Sequence, residues 1–340
     1  MQNNSDITKK SEKTINITIF VITLLICLLL IEITLRLFMP LYFCLPIDAY
    51  QYDKVLGYRL RPGLHVSYLS DYQQEFCTNK SGALNFQEDF SAYEIIIFVI
   101  GDSYVQGLGV PPDGSFPFQL DLILNINKEG IYKKKYGIMN LALGPYGGEQ
   151  ELLVLKRYAE EIKKPDIVLY LGCDNDYNDD ILFNQGIRHL NMVRNSPYYG
   201  WFYFPLKWLF IDTEIGKRIK YIFQEGVLRA RAAKIQSDES HGRSTAEMER
   251  DVIDRIVKTS KSYGSRVILS WCNPTDSYYW LKSWTSQNNI AFADWEPSVK
   301  SLESAIPIPR DNRHSGDHHR IWVNYLIAKE YANQINNSLR

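Results

Sequence analysis

Apolar and polar positions divide this chain into three regimes: one long apolar block, a short-period stretch, and then strand-like runs alternating with helix-like segments. Ile15 to Pro40, INITIFVITLLICLLLIEITLRLFMP, is almost unbroken in apolar character and has about the length that spans a hydrocarbon core as a helix. Glu32 and Arg36 near its end sit at i,i+4 spacing, where they pair on one helix face. Lys9, Lys10 and Lys13 precede the block and no A-x-A-like site follows it, so the pattern predicts an uncleaved signal-anchor, with a cleaved secretory signal as the alternative. The expected organisation is a cytoplasmic tail over 1–14, a transmembrane helix over 15–39, a lead-in or linker over 40–93, and the main domain over 94–340.

The lead-in is rich in Tyr, Pro and Gly (LGYRLRPGLHVSYLSDY) and reads as loops and hairpins. From Glu94 onward the runs EIIIFVI, YGIMNLAL, DIVLYLG and RVILSW alternate with amphipathic segments such as GEQELLVLKRYAEEIKK and AEMERDVIDRIVKTSKSYG. Strands alternating with helices predict an α/β fold: a three-layer α/β/α sandwich on a mostly parallel sheet. The alternation breaks over about 180–245, where SPYYGWFYFPLKWLF is followed by GKRIKYIFQEGVLRARAAKI. That insertion is read as a subdomain with its own small core, or as a membrane-interface or substrate-gripping surface.

Composition narrows the function classes. With 38 basic and 39 acidic residues and a net charge of -1, there is no polycationic signature and no nucleic-acid partner is expected. The cysteines Cys27, Cys44, Cys77, Cys173 and Cys272 form no CxxC pair and no metal-ligand spacing, so neither a metal nor an organic cofactor is expected. In an oxidising compartment Cys44 with Cys77 is the candidate disulfide, with buried free thiols as the alternative.

Candidate chemistry begins where EIIIFVI stops at Gly101-Asp102-Ser103. A serine just beyond the carboxyl end of a buried strand lies where open α/β sheets place their ligand crevice, which makes Ser103 a candidate nucleophile; a plain helix-capping turn is the alternative. A serine hydroxyl needs a base and the base usually an orienting carboxylate. Three of the six histidines cluster in RDNRHSGDHHRIWVNYLIAKEYANQI before the last helix. Two pairings are available there, Asp311 with His314 at D-x-x-H spacing and Asp317 with His319 at D-x-H spacing. Asn175, at the end of DIVLYLGCDNDYNDD, can donate to the oxyanion of a tetrahedral intermediate, an effect worth roughly 3 kcal/mol in other serine enzymes.

Gly-Asp-Ser, the turn NLALGPYGG, Asn-Asp and the final Asp/His block occur in one chain and one order, and this ordered set resembles the SGNH hydrolases, the GDSL esterase/lipase family. The likeness runs from about Gln51 to Asn336, is loosest over the insertion, and is strongest to the membrane-anchored bacterial type. The resemblance implies a flavodoxin-like sandwich. It implies that Ser103 is the nucleophile and a backbone oxyanion donor, Asn175 the side-chain donor, His319 the general base and Asp317 its orienter. The family's oxyanion glycine falls on Pro145, which has no backbone N–H, so either Gly144 or Gly147 takes that role or the hole keeps only two donors. The final block departs from the usual D-x-x-H, and His318 and the Asp311/His314 pair stay alternatives to His319.

The expected function is a serine esterase forming an acyl-serine on a small-molecule or glycan ester, an O-acetyl group of an envelope or extracellular polysaccharide being the favoured substrate. Transfer of the acyl group to a glycan, hydrolysis of long acyl chains as a lipase or thioesterase, and a catalytically silent glycan-binding domain are the alternatives. The expected location is the cell membrane, single-pass, with the main domain on the extracytoplasmic side.

Overall fold

The structure is a computed structural model of the chain and describes residues 2–39, 49–69, 73–85, 87–126, 134–144, 146–184, 213–216, 218–219, 242–312 and 318–339. The chain forms two compact units, Met1–Leu41 with Gly200–Arg229 and Tyr42–Tyr199 with Ala230–Arg340. In the first, helix α1 (Gln2–Phe38) contains, over Lys13–Phe38, a helix long and apolar enough to cross a membrane, none of it buried. Thr213 to Ile219 belong to the same unit. The Glu32 carboxylate accepts hydrogen bonds from the backbone N–H groups of Glu214 (2.9 Å) and Ile215 (3.0 Å), and from Arg36 Nε at 2.6 Å. The aromatic stretch at 196–210 and most of the basic stretch after it lie outside the described residues.

The second unit opens with two antiparallel hairpins, β1 (Tyr50–Asp53) with β2 (Gly57–Leu60) and β3 (His65–Leu69) with β4 (Gln73–Cys77). These hairpins are more than a linker. Leu56, Tyr58 and Leu60 are buried in the core, and the Leu56 and Tyr58 carbonyls accept from Gln150 Nε2 (2.7 Å) and the Tyr146 hydroxyl (2.9 Å). Burial alone would raise the Asp53 carboxyl, yet the Arg157 guanidinium 2.7 Å away and the N–H groups of Leu56 and Val55 hold it below its ordinary value.

Behind the hairpins lies one sheet of five parallel strands in the order β6-β5-β7-β8-β9, with β5 Ile95–Gly101, β6 Tyr136–Asn140, β7 Ile167–Gly172, β8 Arg266–Trp271 and β9 Ala291–Phe292. Every residue of β5, β6 and β7 is buried, which is why these strands read as continuous apolar runs rather than alternating ones. After β5 come α2 (Ser103–Gln106) and α3 (Phe116–Asp121), after β6 comes α4 (Gly148–Glu161), and after β7 come α5 (Asp176–Asn184), α6 (Thr245–Met248) and α7 (Arg250–Ser262). Helix α8 (Asp276–Gln287) follows β8, and α9 (Glu296–Ala305) and α10 (Ile321–Leu339) close the chain.

The path from β5 to β6 runs one way across the sheet, and the path from β6 over to β7 runs the other way. With right-handed crossovers, opposite directions put α3 and α4 on opposite faces, and α3 packs with α10 while α4 packs with α7. The result is the expected three-layer α/β/α sandwich. Reversal of direction also makes a crevice outside the carboxyl ends of β5 and β7, where such sheets bind ligands.

Gly101 closes β5 opposite Leu171 of β7 with φ +153°. A Cβ there would lie 2.7 Å from the Leu171 carbonyl oxygen and collide with the Val105 side chain. Gly101→Ala is expected to cost about 3 kcal/mol or more through overpacking and strain; chemical denaturation checks it, and a loss under about 1 kcal/mol would contradict this packing.

Candidate active site

Two residues beyond the end of β5, Ser103 starts the short helix α2. Asp102 caps that helix, its Oδ1 accepting from the Tyr104 N–H at 2.9 Å, so the capping turn and the candidate nucleophile are the same feature. The chain leaves α2 through Gly107 in the left-handed region, φ 84°, as helix ends commonly do.

Ser103 Oγ lies 2.7 Å from His318 Nε2 and 3.3 Å from Asp102 Oδ2. The histidine brought to the serine is therefore His318, and the expectation for His319 is corrected. His319 is buried, with Nε2 2.7 Å from the Cys272 carbonyl oxygen and Nδ1 3.1 Å from Asp311 Oδ1, so both ring nitrogens are committed to acceptors. The reason is geometric. His319 pairs with Asp311 in an isolated antiparallel bridge, and consecutive side chains of extended backbone point to opposite sides. Tyr104 packs its ring 4.6 Å from His318 and 4.9 Å from His319, centroid to centroid, and its buried hydroxyl is raised above the ordinary tyrosine value. Asp317 and His314 lie outside the described residues.

Besides the Ser103 N–H, the expected oxyanion donors Asn175 and Gly144 reach the same neighbourhood, each already engaged. Asn175, following β7, donates from Nδ2 to Asp179 Oδ2 at 2.9 Å and also hydrogen-bonds Asp102. The Gly144 N–H donates to Gln106 Oε1 at 2.5 Å. A Cβ placed on Gly144 would lie 3.5 Å from Ser103 Cβ, so that amide borders the serine. Gly147 is a packing glycine: a Cβ there would lie 2.7 Å from the Asp176 carbonyl oxygen and 2.8 Å from the Asp180 nitrogen. Pro145 lies outside the described residues.

A disulfide joins Cys173 and Cys272, just past the ends of β7 and β8, with Cα atoms 5.2 Å apart. Cys77 is a free thiol, so the expected Cys44–Cys77 bond is corrected; Cys44 lies outside the described residues. The pairing follows from the sheet, because β7 and β8 are neighbours and their last residues Gly172 and Trp271 are in register. Sequence separation gave no hint of it.

Asp102, Glu151, Asp176, Asp179, Asp180 and Glu249 are all buried. Burial, the main cause, pushes Asp102 up to about 7 and Asp180 up to about 8, and Glu151, Asp176 and Glu249 well above their ordinary values. Both carboxyl oxygens of Glu151 and of Glu249 are buried with no hydrogen-bond partner among the described residues, the circumstance in which a carboxyl stays neutral rather than ionise. No three His, Cys, Asp or Glu side chains among the described residues are arranged to hold a metal ion.

No family model matches the chain, and no curated protein matches it. Among solved structures the chain is similar to TesA (12% identity, TM-score 0.41, covering 71% of this chain and 98% of that one). It is also similar to a member of the lipolytic protein G-D-S-L family from Veillonella parvula (10% identity, TM-score 0.40, 70% and 96% covered). A third similar structure is the psychrotrophic esterase EstA from Pseudoalteromonas sp. (12% identity, TM-score 0.38, 72% and 99% covered).

The buried acids set the sign of a pH effect. Asp102 and Asp180 move from 3.8 in the ordinary state to about 7 and about 8 in the fold, so through that window the folded chain holds more protons than the unfolded one. Stability is then fully present below about pH 4 for these groups and is lost as pH rises through 7 and 8. The melting temperature is expected to fall between pH 5 and pH 8, and Glu249→Gln to flatten that fall; a melting temperature that rises over the same interval would contradict it.

Proposed function

We propose that this chain is a serine esterase of the SGNH type. The observation that carries the proposal is the 2.7 Å approach of His318 Nε2 to Ser103 Oγ at the crevice where the sheet reverses direction. Ser103 Oγ attacks the carbonyl carbon of an ester while His318 takes its proton. The tetrahedral oxyanion is held by the Ser103 and Gly144 N–H groups and by Asn175, and its collapse breaks the bond to the alcohol, which leaves with the proton from His318. Water then attacks the acyl-serine by the same route in reverse order, releasing the acid and restoring the serine. Tyr104 packs against the His318 ring at a tilt, 4.6 Å between centroids, and limits its rotation. Deletion of the Ser103 or His318 side chain is expected to lower turnover of a generic acetyl ester by at least about a thousandfold with the fold intact. His319→Ala acts instead through stability, because it empties a buried, hydrogen-bonded site. Undiminished turnover in Ser103→Ala, or full turnover in His318→Ala, would overturn the assignment, and failure of a fluorophosphonate probe to label the wild-type serine would favour a catalytically silent domain.

The substrate we favour is an O-acetyl ester of an envelope polysaccharide, with the domain outside the membrane and α1 retained as its anchor. Retention is supported by the Glu32 carboxylate, which caps two backbone N–H groups of residues 214 and 215; cleavage after α1 would strip that partner from the unit. Loss of the gene is expected to raise the O-acetyl content of an envelope glycan, and the protein to stay in carbonate-washed membranes with its N-terminal segment. Unchanged acetylation of every envelope glycan, or a mature chain starting after residue 40, would count against these two points respectively.

A further inference from the structure

We propose that Gln106 is an internal competitor for the oxyanion site: its side-chain carbonyl occupies the Gly144 N–H in the resting protein and must swing away before that N–H can receive a substrate oxyanion. The inference rests on the serine-esterase reading above and adds to it a residue that sets how readily the site becomes active.

Three observations carry it. Gln106 Oε1 accepts from Gly144 N at 2.5 Å, and an amide oxygen accepting from that N–H is chemically the same kind of group as the carbonyl of an incoming ester. The contact is beside the nucleophile, because a Cβ on Gly144 would lie 2.8 Å from Gln106 Oε1 and 3.5 Å from Ser103 Cβ. Gln106 is also the last residue of α2 and is buried, so its carbonyl is not competing from solvent but is held in place by the fold.

The structure also provides somewhere for the side chain to go. Gln106 and Gly107 line a cavity of about 410 Å³ whose walls include Leu84, Val110, Phe118 and Ile138. The helix ends at Gly107, and Gln106 lies on the wall of this cavity rather than packed on every side. Rotation about its own bonds moves the amide from Gly144 into this space without unfolding α2. The site's side-chain donor is held in the same manner, Asn175 Nδ2 on Asp179 Oδ2, so both it and the Gly144 N–H are engaged from within.

The competing hydrogen bond predicts a rate effect opposite in sign to ordinary damage. Gln106→Met keeps the volume and removes the acceptor; Gln106→Asn keeps an amide too short to reach Gly144. Both are expected to react with a fluorophosphonate probe about fivefold faster than wild type, the factor for one net hydrogen bond, with kcat for an acetyl ester rising and KM little changed. A structural role alone would slow them. Labelling at the wild-type rate or slower in variants that melt normally overturns the competitor and leaves the esterase standing, whereas no labelling of any of the three proteins overturns both. Should the variants fold poorly, hydrogen exchange at Gly144 in the wild type decides: the latch demands a protected N–H that becomes exposed or changes partner on phosphonylation, and fast exchange in the free protein overturns it.

Discussion

The parallel pairing of β5 with β7 at their carboxyl ends is the constraint on which the site depends. Gly101 and Leu171 are register partners, and the space beside Gly101 is filled by Val105 and the Leu171 carbonyl, so β5 can end only on a glycine. The next side chains, Asp102 and Ser103, are thereby delivered to the mouth of the sheet as a helix start. Order then spreads sideways. Asn175 follows β7, the Cys173–Cys272 disulfide ties the end of β7 to that of β8, and the Cys272 carbonyl holds His319. His319 acts as a peg: with its ring fixed on Cys272 and Asp311, the extended backbone directs the preceding side chain, His318, the other way and onto Ser103.

The buried carboxyls bear on the same chemistry. On the proposed mechanism, an ionised Asp102, with its Oδ2 3.3 Å from the serine oxygen, would oppose negative charge developing on the substrate oxygen, and in a buried setting that repulsion is poorly screened. Burial raises Asp102 to about 7, and its neighbours Glu151 and Asp176 further above their ordinary values. Below neutral pH Asp102, behind Ser103, is therefore mostly protonated. The same choice has a cost in stability at higher pH, since each of these groups prefers the unfolded chain once it must ionise. Asp53 shows the contrast: with Arg157 and two N–H groups around it, burial no longer decides the outcome.

Much of the frame was legible in the sequence, and the reasons differ residue by residue. The run EIIIFVI is long, apolar and β-branched, so β5 and the position of Ser103 follow from local pattern alone, and DIVLYLG gives β7 and Asn175 by the same logic. The choice between His318 and His319 was not legible, because a single step along extended backbone reverses the side chain, and a burial partner 47 residues away decides which of the two faces inward. The disulfide was hidden for a related reason: its cysteines are separated by 99 residues and meet only through strand order. The lead-in looked like a linker because it is rich in Tyr, Pro and Gly and carries no long helical period, yet Leu56, Tyr58 and Leu60 are buried in the core. Gln106 carried no signal, since a glutamine at the end of a four-residue helix resembles any polar surface position.

A buried N–H with no acceptor is costly, and an oxyanion hole is by construction a set of donors with no permanent partner. This chain reduces that cost in its own way. In the proposed hole Pro145 supplies no backbone donor where the resemblance places a glycine, and the two remaining proposed donors, Gly144 and Asn175, each have an internal acceptor, Gln106 and Asp179. The fold gains stability from those bonds, and on the proposed mechanism they would have to break before an oxyanion is bound. The two acceptors differ in kind. Asp179 is tied into the cluster of carboxyls and holds Asn175 in place, whereas Gln106 hangs from the end of a one-turn helix beside open space. Of the two contacts, the one to Gly144 is the one whose acceptor borders a cavity.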